Sequence, residues 1–228
     1  MDDEVTELAY LFHFADAPSI RIALRFARDT YQLLYDAPNP PEAWTALDFN
    51  KCGHCPLASS TAPICPFAAA LSTLLREFRS LRSYENTIVE VTCGRRTVVA
   101  RGALHDGTAS LLGLIGATSG CPHLAVFRPM ARFHLPFATE EETLFRAFSA
   151  HVLEKLVRGE PASLDGMRER YEAAGRVNVG MAERLRAAFP GDAVVNGLII
   201  LDTFAQAAPY VIAKKLGELR YIFERGTA

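Results

Sequence analysis

The sequence has no long apolar run and almost no excess charge of either sign. Its 228 residues include 24 Lys and Arg against 26 Asp and Glu, which gives a formal net charge of −2. No stretch approaches the roughly 18–20 consecutive apolar residues of a spanning helix, so we expect no membrane span. The small net charge predicts neither nucleic-acid binding nor attachment to an acidic membrane surface.

The N-terminal segment lacks the features of a secretory signal. It begins MDDEVTELAY, which is acidic where a signal peptide needs positive charge followed by an apolar run. We therefore expect a cytoplasmic protein. In that reducing compartment, clustered thiols are more often metal ligands or catalytic groups than partners in structural disulfides.

The common catalytic signatures are also missing from the chain. It contains no Walker loop, no HExxH motif, no dinucleotide fingerprint and no nucleophile elbow. Half of the residues are hydrophobic and 22% are charged, which is the balance of a globular chain rather than a disordered one. Composition therefore predicts a folded protein but no particular reaction.

Two antiparallel hairpins are predicted in the first half of the chain. Apolar residues alternate on both sides of a proline-containing turn, at Leu8, Tyr10, Phe12 and Phe14 and again at Ile20, Ile22, Leu24 and Phe26. Such period-2 alternation is typical of strands with one buried face. The second hairpin is expected near residues 86–102, with its turn at Cys93-Gly94, and a proline-rich loop lies between the two.

Helical periodicity dominates the rest of the sequence. Pro66 is expected to open one helix, and Asp106 to cap a second that ends at Gly120. After residue 138 the chain looks all helical, beginning with capping-box spacing at Thr139 and Glu142.

Further helices are predicted towards the C-terminus. They cover 163–174 and 177–189, then a segment capped by Asp192 and a last helix that starts at Pro209. The expected fold is α+β, with N-terminal antiparallel β-hairpins, a Cys-rich loop region and a C-terminal helical layer. We divide it into 1–138 and 139–228, packed as one unit.

Four of the five cysteines form a pattern. Cys52, Cys55 and Cys65 are spaced C-x2-C-x9-C, and Cys121 follows within SGCPHL. Three of them, Cys55, Cys65 and Cys121, directly precede a proline, and proline favours the first position of a helix. Each of these cysteines is therefore expected at an N-cap, where the helix dipole stabilises a thiolate. Metal ions bind thiolates, and the pattern therefore predicts a four-cysteine metal site. Cys93, in the hairpin turn, is outside it.

The cysteine spacing is compatible with two kinds of metal centre, zinc and an iron–sulfur cluster. Structural zinc sites usually contain two C-x2-C pairs and this chain has one, whereas Cys-Pro steps are familiar beside iron–sulfur clusters. Both centres accept four thiolates. We place an iron–sulfur cluster slightly ahead of zinc, and a cluster would imply redox or sensing and a redox partner.

A dithiol is the main alternative. The tetrapeptide CGHC resembles the active site of disulfide isomerases, with Cys52 as nucleophile, Cys55 as resolving thiol and His54 lowering the pKa of the first thiol. In that class the motif follows a strand and opens a helix. Here a hairpin and a proline-rich loop precede it, and Lys51 replaces the usual aromatic residue.

Two further groups of side chains are candidates for ligand binding. His54 and His123 adjoin cysteines of the pattern, and each could replace a thiol or donate a hydrogen bond to one. The stretch FRPMARFHLPF combines Arg128, Arg132 and His134 with three phenylalanines and no acid. Cationic and aromatic side chains together favour a small anionic ligand. An enzyme or ligand sensor with a pocket at Arg128–His134 is therefore a third hypothesis.

The segments CGHCPL, ICPFAAAL and ATSGCPHLAVFRPMARFHLPFATEEE resemble a family of uncharacterised bacterial proteins. The resemblance runs over most of the chain, and SGCPHLAVFRPMARFHLPF is its distinctive part. It implies the same four cysteines, Cys52, Cys55, Cys65 and Cys121, and a bacterial, cytosolic setting. It implies no reaction, substrate or partner.

Overall fold

A computed structural model describes residues 5–36, 39–78, 81–189, 193–214 and 221–224. It has a five-stranded antiparallel sheet followed by a helical C-terminal region, which confirms the predicted α+β class. The strands are β1 (Val5–Phe14), β2 (Ile20–Ala27), β3 (Leu33–Leu34), β4 (Asn86–Cys93) and β5 (Arg96–Ala103). The helices are α1 (Pro66–Phe78), α2 (Leu104–Thr118), α3 (Arg128–Arg132), α4 (Glu140–Val157), α5 (Met167–Ala188) and α6 (Ala193–Lys214).

The first predicted hairpin forms as expected, and it lies in the middle of the sheet. The strand order is β3-β2-β1-β4-β5, and β1 pairs with β2 so that Leu8 faces Leu24 and Tyr10 faces Ile22. These alternate side chains are buried, because successive residues of a strand point to opposite faces and one face carries the core. The two-residue strand β3 was not predicted, since it is too short to show a period.

The second hairpin also forms, with a two-residue connection. Cys93 ends β4 and pairs with Arg96, which places Gly94 and Arg95 in the turn. Gly94 has a φ of 57°, a left-handed conformation that glycine adopts without steric cost. The predicted turn is therefore correct to within one residue.

The helix starts predicted at Pro66 and Thr139 are confirmed, and the one at Asp106 is wrong. Pro66 opens α1, and the Thr139 hydroxyl accepts from the Glu142 N–H at 3.2 Å while the Glu142 carboxylate accepts from the Thr139 N–H at 2.8 Å. Asp106 does not cap α2: the helix begins at Leu104, so Asp106 lies in the first turn. There the carboxylate still complements the positive end of the helix dipole.

The two short helices predicted at 163–174 and 177–189 are a single helix, α5. The helix continues through Gly175, where an added Cβ would make only an ordinary contact, 3.4 Å from Oδ1 of Asp202 on α6. Similarly, α6 continues through Pro209, which was expected to start a separate helix. Packing of α6 along α2 and α5 offsets the hydrogen bond that proline cannot donate. Asp192, the predicted cap, lies outside the described residues.

One hydrophobic core joins the sheet to helices from both halves of the sequence. Strand residues such as Tyr10 and Phe12 share it with Leu112 of α2, Met181 of α5 and Leu198 of α6. A smaller apolar cluster lies where α4 meets α5 and α6. Among the helices that the structure describes, none is long and apolar enough to cross a membrane. Besides its contacts in the core, α5 packs against the loop that contains Cys52.

Candidate functional site

Three separate segments bring the four cysteines of the pattern together. Cys52 lies close enough to Cys55, Cys65 and Cys121 for their charges to interact, and Cys65 also interacts with Cys121. Two of the thiols come from the loop after β3, one from the start of α1, and one from the turn that follows α2. The sequence pattern is therefore also a spatial cluster, which we call the thiol cluster.

Cys93 lies apart from this group, as its place in the sequence indicated. It ends β4, and its thiol contributes to the raised pKa of Tyr31, after the larger effect of burial. All five cysteines are free.

The local structure around the thiols agrees only in part with the predicted N-caps. The carbonyl oxygen of Cys65 accepts from the Ala69 N–H at 2.9 Å, the first hydrogen bond of α1, so Cys65 is at the cap. The carbonyl oxygen of Cys121 accepts from Leu124 and Ala125, which makes a turn. Cys55 precedes no helix, and that expectation is wrong: proline also favours extended loops, and Pro56 lies in one.

Burial opposes ionisation of two of the thiols, Cys121 and Cys52. It raises the pKa of Cys121 to about 11, even though the backbone N–H groups of Leu124 and His123 donate hydrogen bonds to the sulfur. The pKa of Cys52 is raised as well, by burial and then by the neighbouring thiols Cys65 and Cys55. Without an added cation, these two thiols therefore favour the protonated form.

A buried arginine, missed in the sequence, faces the thiol cluster. Arg184 on α5 is only 2% exposed, and its guanidinium donates to three carbonyl oxygens, those of Trp44 (2.7 Å), Ala46 (2.6 Å) and Leu47 (3.0 Å). Burial lowers the pKa of Arg184, and three neighbouring thiols oppose that shift: Cys65, Cys52 and Cys55. Arg184 thus holds the loop that leads to Cys52 and directs positive charge at the thiols.

The two histidines beside the cysteines meet at the edge of the thiol cluster. Their rings stack with centroids 4.2 Å apart. Nε2 of His123 donates to the carbonyl oxygen of His54 at 2.9 Å, and Nε2 of His54 donates to that of Ala173 at 3.1 Å. Because a carbonyl only accepts, each neutral ring carries its proton on Nε2 and keeps a lone pair on Nδ1. Burial, followed by the proximity of His123, lowers the pKa of His54.

The thiols converge without forming a finished ligand shell. Within the described parts of the chain, no group of three or more His, Cys, Asp or Glu side chains is positioned to hold a metal ion. The donor set itself suits a soft or borderline cation, since four thiols lie in one place and backbone N–H groups already point at one sulfur.

The residues of the cationic stretch separate in the structure. Arg132 is exposed, with its guanidinium carbon 5.6 Å from the ring centroid of Tyr31. Nε of Arg128 is buried and has no hydrogen-bond partner among the described residues. His134 instead turns inward, and its Nε2 lies 2.6 Å from the hydroxyl of Tyr10.

His134 lines a cavity of about 810 Å³ between β5, α2 and the first turns of α4, and residues of α5 and α6 complete its wall. That volume is within the range of small-molecule sites. Arg128 and Arg132 are not part of its wall, whereas Arg146 of α4 is. The cavity also adjoins the segments of the thiol cluster, because Phe67 and Leu124, two and three residues beyond Cys65 and Cys121, line it.

A family model matches residues 8–224, nearly the whole chain, and the chain belongs to that family, described as a domain of unknown function (DUF6901). No curated protein and no solved structure matches it.

Proposed function

We propose that this chain is a metal-binding protein whose centre is held by Cys52, Cys55, Cys65 and Cys121. The observation that carries the proposal is their convergence from three segments, while the fifth cysteine lies elsewhere. If the thiols had no shared role, nothing would require the four motif cysteines to lie together while Cys93 lies elsewhere.

The surrounding groups support a thiolate centre. Metal binding displaces thiol protons, and burial raises the pKa values of Cys52 and Cys121, so these two thiols become thiolate ligands only when the cation arrives. The N–H groups that donate to Cys121 and the charge of Arg184 both favour sulfur in its ionised form. Each cysteine has a single side-chain torsion, so a change of rotamer moves its sulfur without moving the backbone.

An iron–sulfur cluster remains slightly ahead of zinc. A bound cluster would supply one-electron chemistry, and zinc would supply a redox-inert cross-link. In either case the centre would join the loop after β3 to the start of α1 and the turn after α2. Such a cross-link between distant segments restricts the unfolded chain and stabilises the fold.

A thiol–disulfide oxidoreductase is the less favoured function. A nucleophilic cysteine needs a lowered pKa, yet burial raises that of Cys52. The Cys55 N–H donates to the carbonyl oxygen of Cys52 at 3.0 Å, which closes an isolated turn rather than opening a helix. Cys65 and Cys121 would also have no part in a two-thiol reaction.

Metal content and an absorption spectrum, measured on protein purified without oxygen, test the proposal. Iron, acid-labile sulfide and absorbance near roughly 400 nm would identify a cluster, and about one zinc per chain in a colourless sample would identify a zinc site. Protein with neither metal, after supply of both during expression, would overturn the proposal.

Serine variants separate the metal centre from the dithiol. Replacement of Cys52, Cys55, Cys65 or Cys121 one at a time should remove most of the metal and lower the melting temperature. Cys93→Ser is the matched control and should keep both. Full metal content in the Cys65→Ser and Cys121→Ser proteins would contradict a four-cysteine centre. It would favour the dithiol function of Cys52 and Cys55 instead.

A further inference from the structure

His134 and Ser110 contribute polar groups to the wall of the cavity, and both bond to the buried Tyr10. The Tyr10 hydroxyl lies 2.9 Å from the hydroxyl oxygen of Ser110 and 2.6 Å from Nε2 of His134, so the three side chains form a hydrogen-bonded row. Burial, followed by the charge of Arg146, lowers the pKa of His134 to about 4, and the ring is neutral at pH 7. When Tyr10 donates to Nε2, the proton of neutral His134 is on Nδ1 and remains available as a donor.

Arg146 stands beside this row. Its Nη2 donates to the carbonyl oxygens of Met130 at 2.7 Å and Phe133 at 2.9 Å, which fixes the half-buried guanidinium in place. Within the described residues, no carboxylate lies within ion-pair distance of it. Burial lowers the pKa of Arg146, and the nearby Glu142 carboxylate only partly opposes that shift. A fixed, half-buried cation with unused N–H donors on a cavity wall is suited to a carboxylate.

The rest of the wall is mainly apolar. It includes Leu112, Leu114 and Ala117 of α2, Phe67 of α1, Leu124 and Leu201. Two acidic residues also line it: Asp106, whose Oδ1 lies 3.4 Å from Nε2 of His105, and Glu140 in the first turn of α4. Apolar walls of this size stabilise a ligand in proportion to the apolar surface that it buries.

We propose that this cavity binds a monocarboxylate with an extended apolar body, placing the carboxylate at Arg146 and His134 and the apolar body against α2. A small inorganic anion would leave most of the apolar wall exposed to water. A cationic ligand would meet the guanidinium of Arg146. The site is separate from the thiol cluster, and it requires no particular metal there.

Calorimetric titration of the full chain, as purified, with dodecanoate tests this site. Binding should be one to one, and shortening the chain to decanoate and octanoate should weaken it by up to about fourfold for each CH₂ removed. Dodecanol, which has the same tail without the charge, should bind at least about tenfold more weakly than dodecanoate. Absence of dodecanoate binding, or equal binding of dodecanol, would overturn the proposal.

Two variants locate the binding. Arg146→Gln should weaken dodecanoate at least about tenfold, because it removes a charge-assisted contact, and Arg168→Gln, at an exposed position of α5, is its control. Ala138→Phe narrows the cavity while keeping Arg146, so it should also weaken binding and provides the test if the Arg146 variant does not fold. Unchanged affinity in folded Ala138→Phe protein would place dodecanoate elsewhere.

Discussion

His123 stacks on His54 with ring centroids 4.2 Å apart and donates from Nε2 to the carbonyl oxygen of His54 at 2.9 Å. This contact joins the segment of Cys55 to the segment of Cys121, which are distant in the sequence. Because His54 in turn donates to the carbonyl oxygen of Ala173, both segments are tied to α5. Part of the thiol cluster is therefore held in place by contacts among the chain's own residues.

Replacing His123 by alanine should weaken the proposed metal centre. The variant loses the stacking contact and the hydrogen bond, and loss of such supporting contacts typically lowers metal affinity by about 10- to 100-fold. Titration with a competing chelator measures the change. His105→Ala is the control, since His105 is at the other end of α2 and bonds to Ser83. Equal metal affinity in the His123→Ala protein would show that the histidine pair does not support the centre.

Gly180 of α5 lies directly against the side chain of Cys52. A Cβ at this position would lie 2.9 Å from Sγ of Cys52, closer than side chains tolerate. Gly180→Ala should therefore displace the Cys52 thiol and reduce metal content, although alanine favours a helix over glycine by about 1 kcal/mol.

Gly175→Ala is the matched control on the same helix. Its Cβ would lie 3.4 Å from Asp202 and 3.7 Å from Ala205, which are ordinary contacts. This variant should keep its metal and be up to about 1 kcal/mol more stable in a urea titration. If both variants keep equal metal, the position of the Cys52 sulfur is not important to the centre.

Arg184→Met should destabilise the fold and loosen the thiol cluster together. It leaves the buried carbonyl groups of Trp44, Ala46 and Leu47 without their donor, a loss of about 3 kcal/mol or more in the free energy of unfolding. Arg184→Lys should recover only part of this, because one ammonium cannot reproduce the planar fork of donors.

Arg186→Met provides the comparison for Arg184. Arg186 is exposed two positions along α5, and its replacement should change the free energy of unfolding by no more than about 0.5 kcal/mol. Urea unfolding of the two proteins, with metal content measured on the same samples, tests whether the Arg184 guanidinium stabilises the fold and the thiol cluster. Similar small effects in both would mean that the buried guanidinium does not hold the loop before Cys52.

The difference between Arg184 and the cysteines shows what the sequence can predict. Cysteine is rare here, and Cys-x-x-Cys and Cys-Pro spacing is visible locally, so the members of the thiol cluster could be named in advance. The partners of Arg184 are carbonyl groups of a distant loop, and carbonyls have no sequence signature. An arginine in a helix also looks like an ordinary surface residue.

The same contrast holds between the strands, which the sequence predicts, and the cavity, which it does not. Alternation at Leu8, Tyr10 and Phe12 predicts strands, because burial on one face of a sheet has a period of two. The cavity, by contrast, lies where β5 and several helices do not pack closely together, and no local sequence pattern predicts such a gap. The sequence indicates His134 as a candidate, but it does not indicate Arg146, which lies on a helix of ordinary charge pattern.

The burial of His134 predicts a pH dependence of stability. Its pKa falls from 6.5 in the unfolded chain to about 4 in the fold, so the unfolded chain binds more protons between those values. Stability from the neutral ring is complete above pH 6.5 and is lost as the pH falls towards 4. Between pH 7 and pH 5 the loss should be about 2 kcal/mol. Urea unfolding at both pH values measures it, and the difference should be about 2 kcal/mol smaller in His134→Gln, in which contributions from His54 and His151 are unchanged. Equal pH dependence in the two proteins would mean that His134 accepts a proton in the fold as readily as in the unfolded chain.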